Sequence, residues 1–402
     1  MKYIVLGAGP AGLVVANRLK QLGKDSVIVL ECGREAGGLC RSSVVDNAPF
    51  DIGGGHFLDA DNIKAVNFLF KYMPAEEWDL YERDSRILIN GYFINSPVEA
   101  NIWQMGLDEQ IEYLKSIAIA GCNLGHKMPN RFIDWIDWKL GKKIASEYML
   151  PYNKKMFADE LNELGTYWLD KLPNVSFEET LRSCLTHRAC GKQPGHARFY
   201  YPKKYGFGEV WIRMADSIRS CIYYGTRAQS IDFIEKKVKT TDGEIYSADI
   251  IISTIPWREF KELKGMPNNL ITSILKLKHS SIETRYFAEN MDTQAQWIYY
   301  PDQRLPYHRI LVRHNFCPHS KGYWTETRKE RTPMFSSNSG ETFTYVNEYA
   351  YPLNTIEKPA VMKNLLGWCE KHQVYGLGRW GEHQHYNSDV VVNLASSLAE
   401  RL

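Results

Sequence analysis

The sequence predicts an α/β fold in which a Rossmann-type domain is combined with a helical insertion and an antiparallel β-sheet domain. Three observations predict this fold: a glycine-rich βαβ unit at the start, helical periodicity in the second quarter, and short alternating strands later in the chain. The chain has 402 residues, of which 44% are hydrophobic, enough for a large core and two or three domains. We assign residues 1–60, 196–256 and 365–402 to a discontinuous Rossmann-like domain, 61–195 to a mainly helical substrate-side domain, and 257–364 to the sheet domain.

The βαβ unit occupies the start of the chain. The apolar run Tyr3–Leu6 predicts a buried strand, an Ala-rich helical pattern stops at Gly23, and a β-branched run predicts a second strand that ends at Glu31. The glycines between strand and helix have the G-x-G-x-x-G spacing, which permits a tight turn, close approach to a pyrophosphate and close helix–strand packing. The helix N-terminus offers N–H groups to phosphates, and the terminal carboxylate can accept from ribose hydroxyls. The predicted dinucleotide contacts are Gly7, Gly9, Pro10, Ala11, Gly12 and Glu31.

A second glycine motif follows this unit. The Gly37-Gly38 doublet with Arg41 gives a tight backbone path beside a cation, which suits a loop along the pyrophosphate and isoalloxazine of a flavin. A plain NAD dehydrogenase does not need such a loop, so the motif favours FAD, with a surface turn as the alternative. The predicted FAD contacts here are Gly37, Gly38, Leu39 and Arg41.

Three consecutive glycines, Gly53, Gly54 and Gly55, precede His56. Because such a run carries a large entropic cost, we interpret it as backbone placed against a flat ligand, with the histidine presented to that ligand. A core histidine is the alternative. Gly54, Gly55 and His56 are therefore predicted to contact the flavin.

Helical periodicity dominates after residue 60, with a hairpin predicted around Asn90-Gly91. The predicted helices are 62–72, 107–120 and 132–149. The last helix is expected to end at Pro151, and the polar and aromatic residues around it form a candidate substrate surface that includes Tyr152 and Asn153.

The later part of the chain alternates short strands and turns. Hairpin patterns over 226–241 and a hydrophobic strand over 245–255 are expected to return to the Rossmann-like domain. Period-2 alternation places Arg309 and Arg313 on one face of an antiparallel sheet, with Arg285 if the register allows, which suits a diphosphate ligand. Solvated edge-strand charges are the alternative. The strands predicted for this sheet are 283–287, 296–300, 308–314 and 343–349.

The C-terminus combines a strand, a glycine turn and a helix. The strand and turn span 374–382, and Asn387 to Asp389 are expected to cap a final helix, 390–402. A helix N-terminus placed on a flavin ring stabilises the negative charge of its reduced form. The Rossmann-type domain is therefore predicted to bind FAD, and its remaining contacts are Gly378, Arg379, Asn387, Ser388 and Asp389.

Four blocks of the sequence resemble the UDP-galactopyranose mutase family, most closely its eukaryotic-type branch and related bacterial proteins. The first block resembles the family's glycine–glycine–histidine flavin loop, and the last resembles its terminal flavin and substrate motif. The first sixty residues alone place the chain only among amine-oxidase-like flavoproteins. The blocks, which together span nearly the whole chain, are 53–56, 198–211, 297–309 and 378–389.

The resemblance implies roles for individual residues. The arginine at the position of Arg309 grips the nucleotide diphosphate, and the arginine at Arg379 lies by flavin and sugar. With His56, which would adjust to the flavin redox state, they form the implied catalytic set. The implied substrate contacts are Tyr152, Asn153, Tyr201, Trp297, Tyr299, Arg309, Tyr345 and Asn387.

The chain also departs from the family pattern. Leu150 stands where the family has a second phosphate-side arginine, with Lys154 nearby. His383 and His385 replace a tryptophan and a tyrosine of the terminal motif. These departures bear on the identity of the sugar more than on the flavin or the nucleotide-sugar cleft.

The activity that the resemblance implies is a mutase reaction without net redox change. In that family reduced FAD attacks the anomeric carbon through N5 and expels the nucleoside diphosphate, and the sugar then opens and recloses through another hydroxyl. The expected partners are a nucleotide-diphosphate sugar of the UDP-galactose type and a reductant such as NAD(P)H. The alternatives are an FAD-dependent oxidase or desaturase of an amine or other small molecule, and a non-enzymatic flavin-binding protein.

Composition narrows the remaining classes. The net charge of +2 gives no global field for nucleic acid, and no apolar run approaches the length of a membrane span. The eight cysteines include no C-x-x-C pair, so we expect reduced thiols, no metal site and a cytoplasmic protein. Because a strand is predicted to start at Tyr3, we expect no signal peptide. The sugar, the base and the oligomeric state stay open.

Overall fold

A computed structural model describes residues 1–121, 125–158, 160–169, 172, 175–191, 197–334 and 341–402. Its strands are β1 Tyr3–Leu6, β2 Val27–Leu30, β3 Ser42–Val45, β4 Ala48–Asp51, β5 Leu58–Asp59, β6 Trp78–Glu82, β7 Ser85–Ile89, β8 Tyr92–Asn95, β9 Arg198–Pro202, β10 Ile222–Tyr223, β11 Ala228–Asp232, β12 Lys237–Thr240, β13 Ile245–Ser247, β14 Ile250–Ser253, β15 Glu262–Lys264, β16 His279–Phe287, β17 Trp297–Tyr299, β18 Arg309–Val312, β19 Tyr323–Arg328, β20 Glu341–Pro352 and β21 Val374–Gly376.

The helices connect these strands and form most of the insertion. They are α1 Pro10–Gln21, α2 Ile63–Leu69, α3 Val98–Asn101, α4 Leu107–Gly121, α5 Phe132–Ile144, α6 Leu150–Met156, α7 Phe177–Thr186, α8 Glu209–Asp216, α9 Asn268–Ile274, α10 Lys358–Lys371, α11 Gly378–Gly381 and α12 Ser388–Arg401. A π-helical turn, Ala145–Met149, joins α5 to α6. Within the described ranges, no helix has the length and apolar character needed to cross a membrane.

A parallel sheet confirms the predicted Rossmann-type α/β fold. Its strand order is β10-β2-β1-β14-β21, and Tyr3 of β1 lies between Val27 and Ile250 of its neighbours. Alternate residues of β1 enter two cores: Tyr3 and Val5 pack on the side of α1 and α12, whereas Ile4 and Leu6 pack on the side of the β11–β15 segment. A strand buried on both faces explains the continuous apolar run in the sequence.

The predicted hydrophobic strand over 245–255 is two strands in different sheets. β13 is the edge of a four-stranded sheet of order β13-β12-β11-β15, whereas β14 belongs to the parallel sheet. The chain crosses between them at Asp249, whose backbone N–H donates to the Lys2 carbonyl at 2.9 Å and whose carboxylate accepts from the Lys2 N–H at 2.7 Å. The single charged residue Asp249 inside a mainly apolar segment was the one sequence signal of this crossing.

A seven-stranded sheet forms the other half of the molecule, in the order β20-β16-β19-β18-β17-β7-β8. The hairpin predicted at Asn90-Gly91 is its β7–β8 edge, and both turn residues have positive φ, 50° and 81°, as a tight hairpin requires. Strand β19 was not predicted. The three-domain division stays a prediction: β7 pairs with β17 across the proposed boundary, and the 195–196 boundary lies outside the described residues.

The helical segment after α5 continues beyond its predicted end. Pro151 does not stop a helix: it lies in the first turn of α6, where a missing N–H is tolerated. The π-helical turn before it adds a residue to the helical path. Together they carry Tyr148, Met149 and Tyr152 onto one cavity wall.

Candidate functional site

Two large cavities meet in this molecule, one on the Rossmann-like side and one between the insertion and the large sheet. The first, the dinucleotide cavity, has a volume of about 450 Å³, within the usual range for cofactor sites. The predicted residues that line it are Gly7, Gly9, Pro10, Ala11, Glu31, Gly38, Leu39, Arg41, His56, Tyr345, Arg379 and Ser388.

The glycine turn after β1 is shaped by close backbone contacts. Gly7 has a φ of 98°, and a Cβ on Gly12 would overlap the Gly7 carbonyl oxygen, so the start of α1 packs directly on the turn. The second glycine loop lies against the first, since the Gly37 N–H donates to the Ala8 carbonyl at 2.8 Å. A Cβ on Gly38 would come within 3.1 Å of the Gly9 Cα.

Glu31 lies at the end of β2 and closes this turn. Its two carboxylate oxygens accept from the Ala8 N–H at 2.7 Å and the Gly33 N–H at 2.6 Å. The carboxylate therefore holds both loops while it lines the dinucleotide cavity and an adjoining cavity of about 390 Å³. This is a position from which it can also accept from ribose hydroxyls.

The three glycines of residues 53–55 were expected to make room for a flat ligand, but they are needed for close contacts within the protein. A Cβ on Gly53 would overlap the Leu39 carbonyl oxygen, and a Cβ on Gly55 would overlap the side chain of Leu311. A Cβ on Gly54 would come 2.5 Å from a carboxylate oxygen of Glu326. Contacts within the protein therefore require these glycines. Gly55 lines a cavity, whereas Gly54 faces the carboxylate.

His56 follows this loop and lines the dinucleotide cavity. Its Nδ1 lies 2.9 Å from the Gly54 carbonyl, which can only accept, so Nδ1 carries the proton in the neutral ring. Burial, and then the charge of Arg379, lowers the pKa of His56 to about 4. The ring is therefore neutral near pH 7, and its Nε2 is a hydrogen-bond acceptor.

Arg379, in the short helix α11, is held by backbone carbonyls. It donates to the Tyr386 carbonyl at 2.8 and 3.1 Å and to the Ala350 carbonyl at 3.1 Å. Burial lowers its pKa below the usual range of arginine, yet the group stays charged at neutral pH. In the described part of the chain no carboxylate pairs with it, so its positive charge is available to an anionic ligand.

The second cavity, the aromatic pocket, has a volume of about 310 Å³. Its walls come from α3, α5, the π-helical turn, α6 and the sheet. Tyr148 and Tyr152 stack on each other with ring centroids 5.6 Å apart. The predicted residues that line it are Tyr152, Asn153, Tyr299, Arg309 and Asn387.

A smaller space of about 150 Å³, the junction pocket, lies where the two cavities meet. Asn387 is the N-cap of α12, but its side chain makes no capping hydrogen bond. The predicted residues that line this space are Gly55, His56, Trp297, Arg309, Arg379, Asn387 and Ser388.

Arg309 enters the junction as half of a buried ion pair. Its Nε and Nη2 donate to the two oxygens of Glu326 at 2.7 and 2.9 Å, and Nη2 also donates to the Tyr351 hydroxyl at 3.1 Å. Burial opposes ionisation of Glu326, but the charge of Arg309 lowers the pKa of that carboxyl to about 2. Nη1 of Arg309 makes no hydrogen bond to a described residue and is the donor left for a ligand.

The comparisons with known proteins agree with this architecture. The family model described as "Flavin containing amine oxidoreductase" matches residues 10–283. The chain belongs to this family. A crystal structure of reduced UDP-galactopyranose mutase superposes with a TM-score of 0.87 at 21% identity, and the match covers 100% of this chain and 93% of that one.

More distant solved structures share the fold, and one curated protein matches part of the sequence. Putrescine oxidase bound to putrescine has a TM-score of 0.65 at 13% identity, and a fatty acid isomerase from P. acnes has 0.67 at 14%; each match covers 100% of this chain and 98% of the other. An uncharacterized protein in the nifH2 3' region of Methanothermococcus thermolithotrophicus is 35% identical over 109 residues, 26% of this chain and 98% of that protein.

As in other members of its family, the cofactor is FAD. The dinucleotide cavity fits this group on physical grounds: Gly9 and Gly38 leave the backbone bare, the N-terminus of α1 has no side-chain cap, and Arg379 supplies an uncompensated positive charge. The glycine loops and α1 would hold the pyrophosphate. His56, Arg379 and the N-terminus of α12 would lie at the flavin end.

Several predicted residues lie outside the cavities. Tyr201 is fully buried and donates to Asp51 at 3.1 Å, so it supports the protein instead of contacting a substrate. Asp389 is buried and accepts from Asn62 at 2.8 Å. Tyr345 lines the dinucleotide cavity instead of the aromatic pocket, and its hydroxyl accepts from Arg41 at 2.7 Å. The predicted FAD residues outside these cavity walls are Gly12, Gly37, Gly54, Gly378 and Asp389.

The predicted arginine face does not exist as one surface. β18 ends at Val312, and Arg313 turns inward, where it is fully buried and donates to the Val45 and Lys321 carbonyls. Arg285 pairs with Glu283 on its own strand. Only Arg309 of the three lines the described cavities.

The departures from the family pattern also have distinct positions. Lys154 is exposed and Leu150 does not line the aromatic pocket. His383 is buried with Nε2 2.9 Å from the Lys278 carbonyl, and burial lowers its pKa to about 3. His385 lines both the aromatic and junction pockets.

Sequence reasoning missed three charged residues at the site. Glu326 lies on the unpredicted strand β19, and Glu99 lies on the short helix α3. Arg83 precedes β7, donates to the Tyr299 hydroxyl at 2.7 Å and lies over the Trp297 ring at 4.7 Å. None of the three belongs to a recognisable sequence motif. The one local signal is that Arg83 lies between two acidic residues just before β7.

Proposed function

We propose that this flavoprotein is a mutase that interconverts the pyranose and furanose forms of a nucleotide-diphosphate sugar of the UDP-galactose type. The observation that carries the proposal is the junction pocket, where Arg309 and Arg379 line one small space between an FAD cavity and an aromatic pocket. Guanidinium groups match the oxygens of a diphosphate in charge and in geometry. A cationic amine or an uncharged apolar substrate would gain nothing from two cations at this place.

Arg309 is the residue that would hold the diphosphate. The bidentate pair with Glu326 fixes the guanidinium plane and leaves Nη1 directed to a ligand. Because this pair is buried, the orientation of Arg309 exists before substrate binds, which lowers the entropy lost on binding. Glu326 also offsets part of the positive charge of Arg309, which limits the affinity for the diphosphate and allows its release.

Arg379 and His56 would act at the sugar end. Bound reduced FAD supplies an electron-rich ring nitrogen that can act as a nucleophile at an anomeric carbon. Arg379 would stabilise negative charge on the leaving diphosphate or the flavin ring, since no described carboxylate neutralises it. The neutral His56 can accept a hydrogen bond from a sugar hydroxyl through Nε2, and the aromatic walls exclude water during the exchange.

This mutase would be active only in the reduced state. A reductant such as NAD(P)H would be needed to prime the flavin but would not be consumed in proportion to product, because the sugar keeps its oxidation level. We place this activity in the cytoplasm, where thiols stay reduced and nucleotide sugars are made.

A second candidate is an FAD-dependent oxidase or desaturase. Its support is the aromatic pocket, whose wall is mostly apolar, together with the compensation of Arg309 by Glu326. Such an enzyme would use oxidised flavin and pass two electrons to an acceptor in each turnover.

The deciding experiment incubates oxidised and dithionite-reduced protein with a panel of nucleotide sugars and measures ring isomers and oxygen uptake. We expect a furanose product only from the reduced protein, without stoichiometric oxygen loss. Turnover by the oxidised protein with one oxygen consumed per substrate, and no ring isomer, would refute the mutase.

A substitution at the junction tests the same proposal. Arg309→Lys keeps a cation for Glu326 but removes the planar fork, so nucleotide-sugar affinity should fall by about 1–3 kcal/mol while the flavin spectrum stays unchanged. Arg304→Lys is the matched control, because that arginine is exposed and its ion-pair partner among the described residues is Asp302. Equal affinities for both variants would remove Arg309 from the diphosphate site.

A further inference from the structure

Glu99 is the acidic side chain among the described residues that line the aromatic pocket. It lies on α3 and is only 9% exposed. Its carboxyl accepts from its own backbone N–H, and no other described residue donates to it. A carboxylate can accept several hydrogen bonds, so this buried group has acceptor capacity left for a ligand.

The positive and negative side chains of the aromatic pocket lie in different parts of its wall. Arg83 and Arg309 line the part of the pocket that continues into the junction pocket, together with Asn387. The cation that acts on the Glu99 carboxyl is instead Lys139 of α5, while burial raises the Glu99 pKa. The pocket therefore has a cationic end beside the flavin and a carboxyl away from it.

The wall near Glu99 suits a flat ring. Glu99 shares this pocket with Tyr148, which is stacked on Tyr152 with an interplanar angle of 25°. Asn153 uses its side-chain N–H to donate to the Met149 carbonyl at 2.7 Å, which leaves its side-chain oxygen as a second acceptor in the same pocket. Aromatic faces with acceptors at the edge are how proteins read an unpaired base.

We propose that Glu99 determines nucleotide specificity by accepting a hydrogen bond from a ring N–H on the edge of the substrate's base. This inference rests on the proposed function: with the diphosphate at Arg309, an elongated nucleotide sugar places its base at the opposite end of the pocket. The shared chemistry is an N–H donor beside a ring carbonyl, which uracil and thymine present at N3 and guanine presents at N1 with its exocyclic amine. A ligand that brings no such donor leaves the Glu99 carboxyl unsatisfied.

The test measures binding of UDP, TDP, GDP, CDP and ADP to the FAD-loaded protein by calorimetry, so no sugar chemistry is needed. Wild type should bind at least one of UDP, TDP or GDP tenfold or more tighter than ADP. Glu99→Gln keeps the shape of the side chain and should weaken the preferred nucleotide about tenfold to hundredfold while changing ADP less than threefold. Glu99→Ala should erase the preference altogether.

Asp137→Asn is the matched control, since Asp137 is an exposed carboxylate on the same helix as Lys139 and does not line the pocket. It should keep the wild-type ranking, and the flavin absorbance of every variant reports that the fold is intact. If Glu99→Gln keeps the wild-type ranking while nucleotides still bind, Glu99 does not read the base and only this inference falls.

Two other outcomes overturn more than this inference. If no nucleoside diphosphate binds the wild type, the proposed mutase function fails together with the role of Glu99. If a diamine binds instead and Glu99→Gln abolishes that binding, the carboxylate recognises an ammonium group, and the oxidase candidate replaces both proposals.

Discussion

The dinucleotide cavity and the aromatic pocket are built from different parts of the chain. The first is shaped by main chain at glycine turns, such as Gly9 against Gly38, and by the N-termini of α1 and α12. The second is shaped by side chains that arrive from the insertion and from the large sheet. A backbone-made cavity depends on local conformation, whereas a cavity made of side chains depends on how distant elements pack.

This difference explains which kind of ligand each cavity can hold. Backbone N–H groups and helix N-termini bind the phosphates of a cofactor that is the same throughout a family. Side chains can change one at a time, so the aromatic pocket is where the family can differ in substrate. Substitutions in the two cavities should therefore fail in different ways.

The largest effect is expected from Glu326→Ala, which breaks the ion pair under the junction pocket. Arg309 would be left buried and without its carboxylate, so we expect the free energy of unfolding to fall by about 3–5 kcal/mol. Glu326 is 1% exposed, which keeps water from replacing the lost partner. The measurement is urea unfolding of the FAD-loaded protein.

A double substitution separates the loss of the pair from the loss of packing. Arg309→Met with Glu326→Leu removes both charges and should recover most of the lost stability, because apolar groups of similar size can replace a buried pair. If Glu326→Ala alone lowers the free energy of unfolding by less than about 1 kcal/mol, the pocket around Arg309 tolerates an unpaired cation.

A smaller effect, on pH dependence, is expected at Asp51. This carboxylate accepts from Ser42 at 2.5 Å, Tyr201 at 3.1 Å and the Phe207 N–H at 3.3 Å, and burial raises its pKa to about 7. An unfolded aspartate titrates near pH 3.9, so the folded protein keeps this proton over a wider range. The stability contributed by Asp51 is therefore full below about pH 4 and is lost as the pH rises through about 7.

Asp51→Asn should remove this dependence. The difference in unfolding free energy between wild type and variant should shift by about 2 kcal/mol between pH 5 and pH 7.5, to the disadvantage of the wild type. Histidines with lowered pKa, such as His56, titrate equally in both proteins and cancel in the difference. If the difference in unfolding free energy does not change with pH, Asp51 is already ionised in the folded protein from pH 5 to pH 7.5.

The next prediction tests the dinucleotide cavity, which is shaped by the main chain. Gly9 has a φ of −76°, and a Cβ there would meet nothing closer than 3.8 Å, so the fold itself accepts alanine. The Cβ would still occupy the space of the pyrophosphate. We expect Gly9→Ala to lower FAD affinity about tenfold, ~1.4 kcal/mol, with an unchanged circular dichroism spectrum.

Gly12→Ala provides the contrast at a position three residues away. Its Cβ would overlap the Gly7 carbonyl, so this variant should lose stability as well as FAD. If Gly9→Ala bound FAD as tightly as the wild type, close approach of the backbone to the cofactor would not be the function of that glycine.

The sequence was a better guide to the dinucleotide cavity than to the aromatic pocket for the same physical reason. The strand, glycine spacing and helix around Gly7 are local signals, and the parallel sheet follows from them. The partner of Arg309 was not predicted, because Glu326 lies on β19, a strand that the sequence pattern did not reveal, and faces Arg309 through the pairing of β18 with β19. Period-2 alternation also failed for Arg313, since the strand ends one residue before it.

The smallest effect concerns Arg379, which lies where the two cavities meet. Its guanidinium is held by carbonyls and has no carboxylate partner in the described chain, so its charge acts on whatever lies in the cavity. A cation beside a flavin stabilises the anionic reduced ring relative to the neutral oxidised one. Arg379→Gln removes the charge but leaves an amide N–H that can donate to a carbonyl.

We expect the two-electron reduction potential of bound FAD in Arg379→Gln to fall by about 20–30 mV, equivalent to ~1 kcal/mol. Arg41→Gln is the control, because that arginine lines the same cavity but already pairs with Glu35 at 3.2 Å. Dye-coupled reduction titrations of the three proteins give the potentials directly. A lower potential in both variants would mean that any nearby cation tunes the flavin, and an unchanged potential in Arg379→Gln would assign its charge to the substrate side alone.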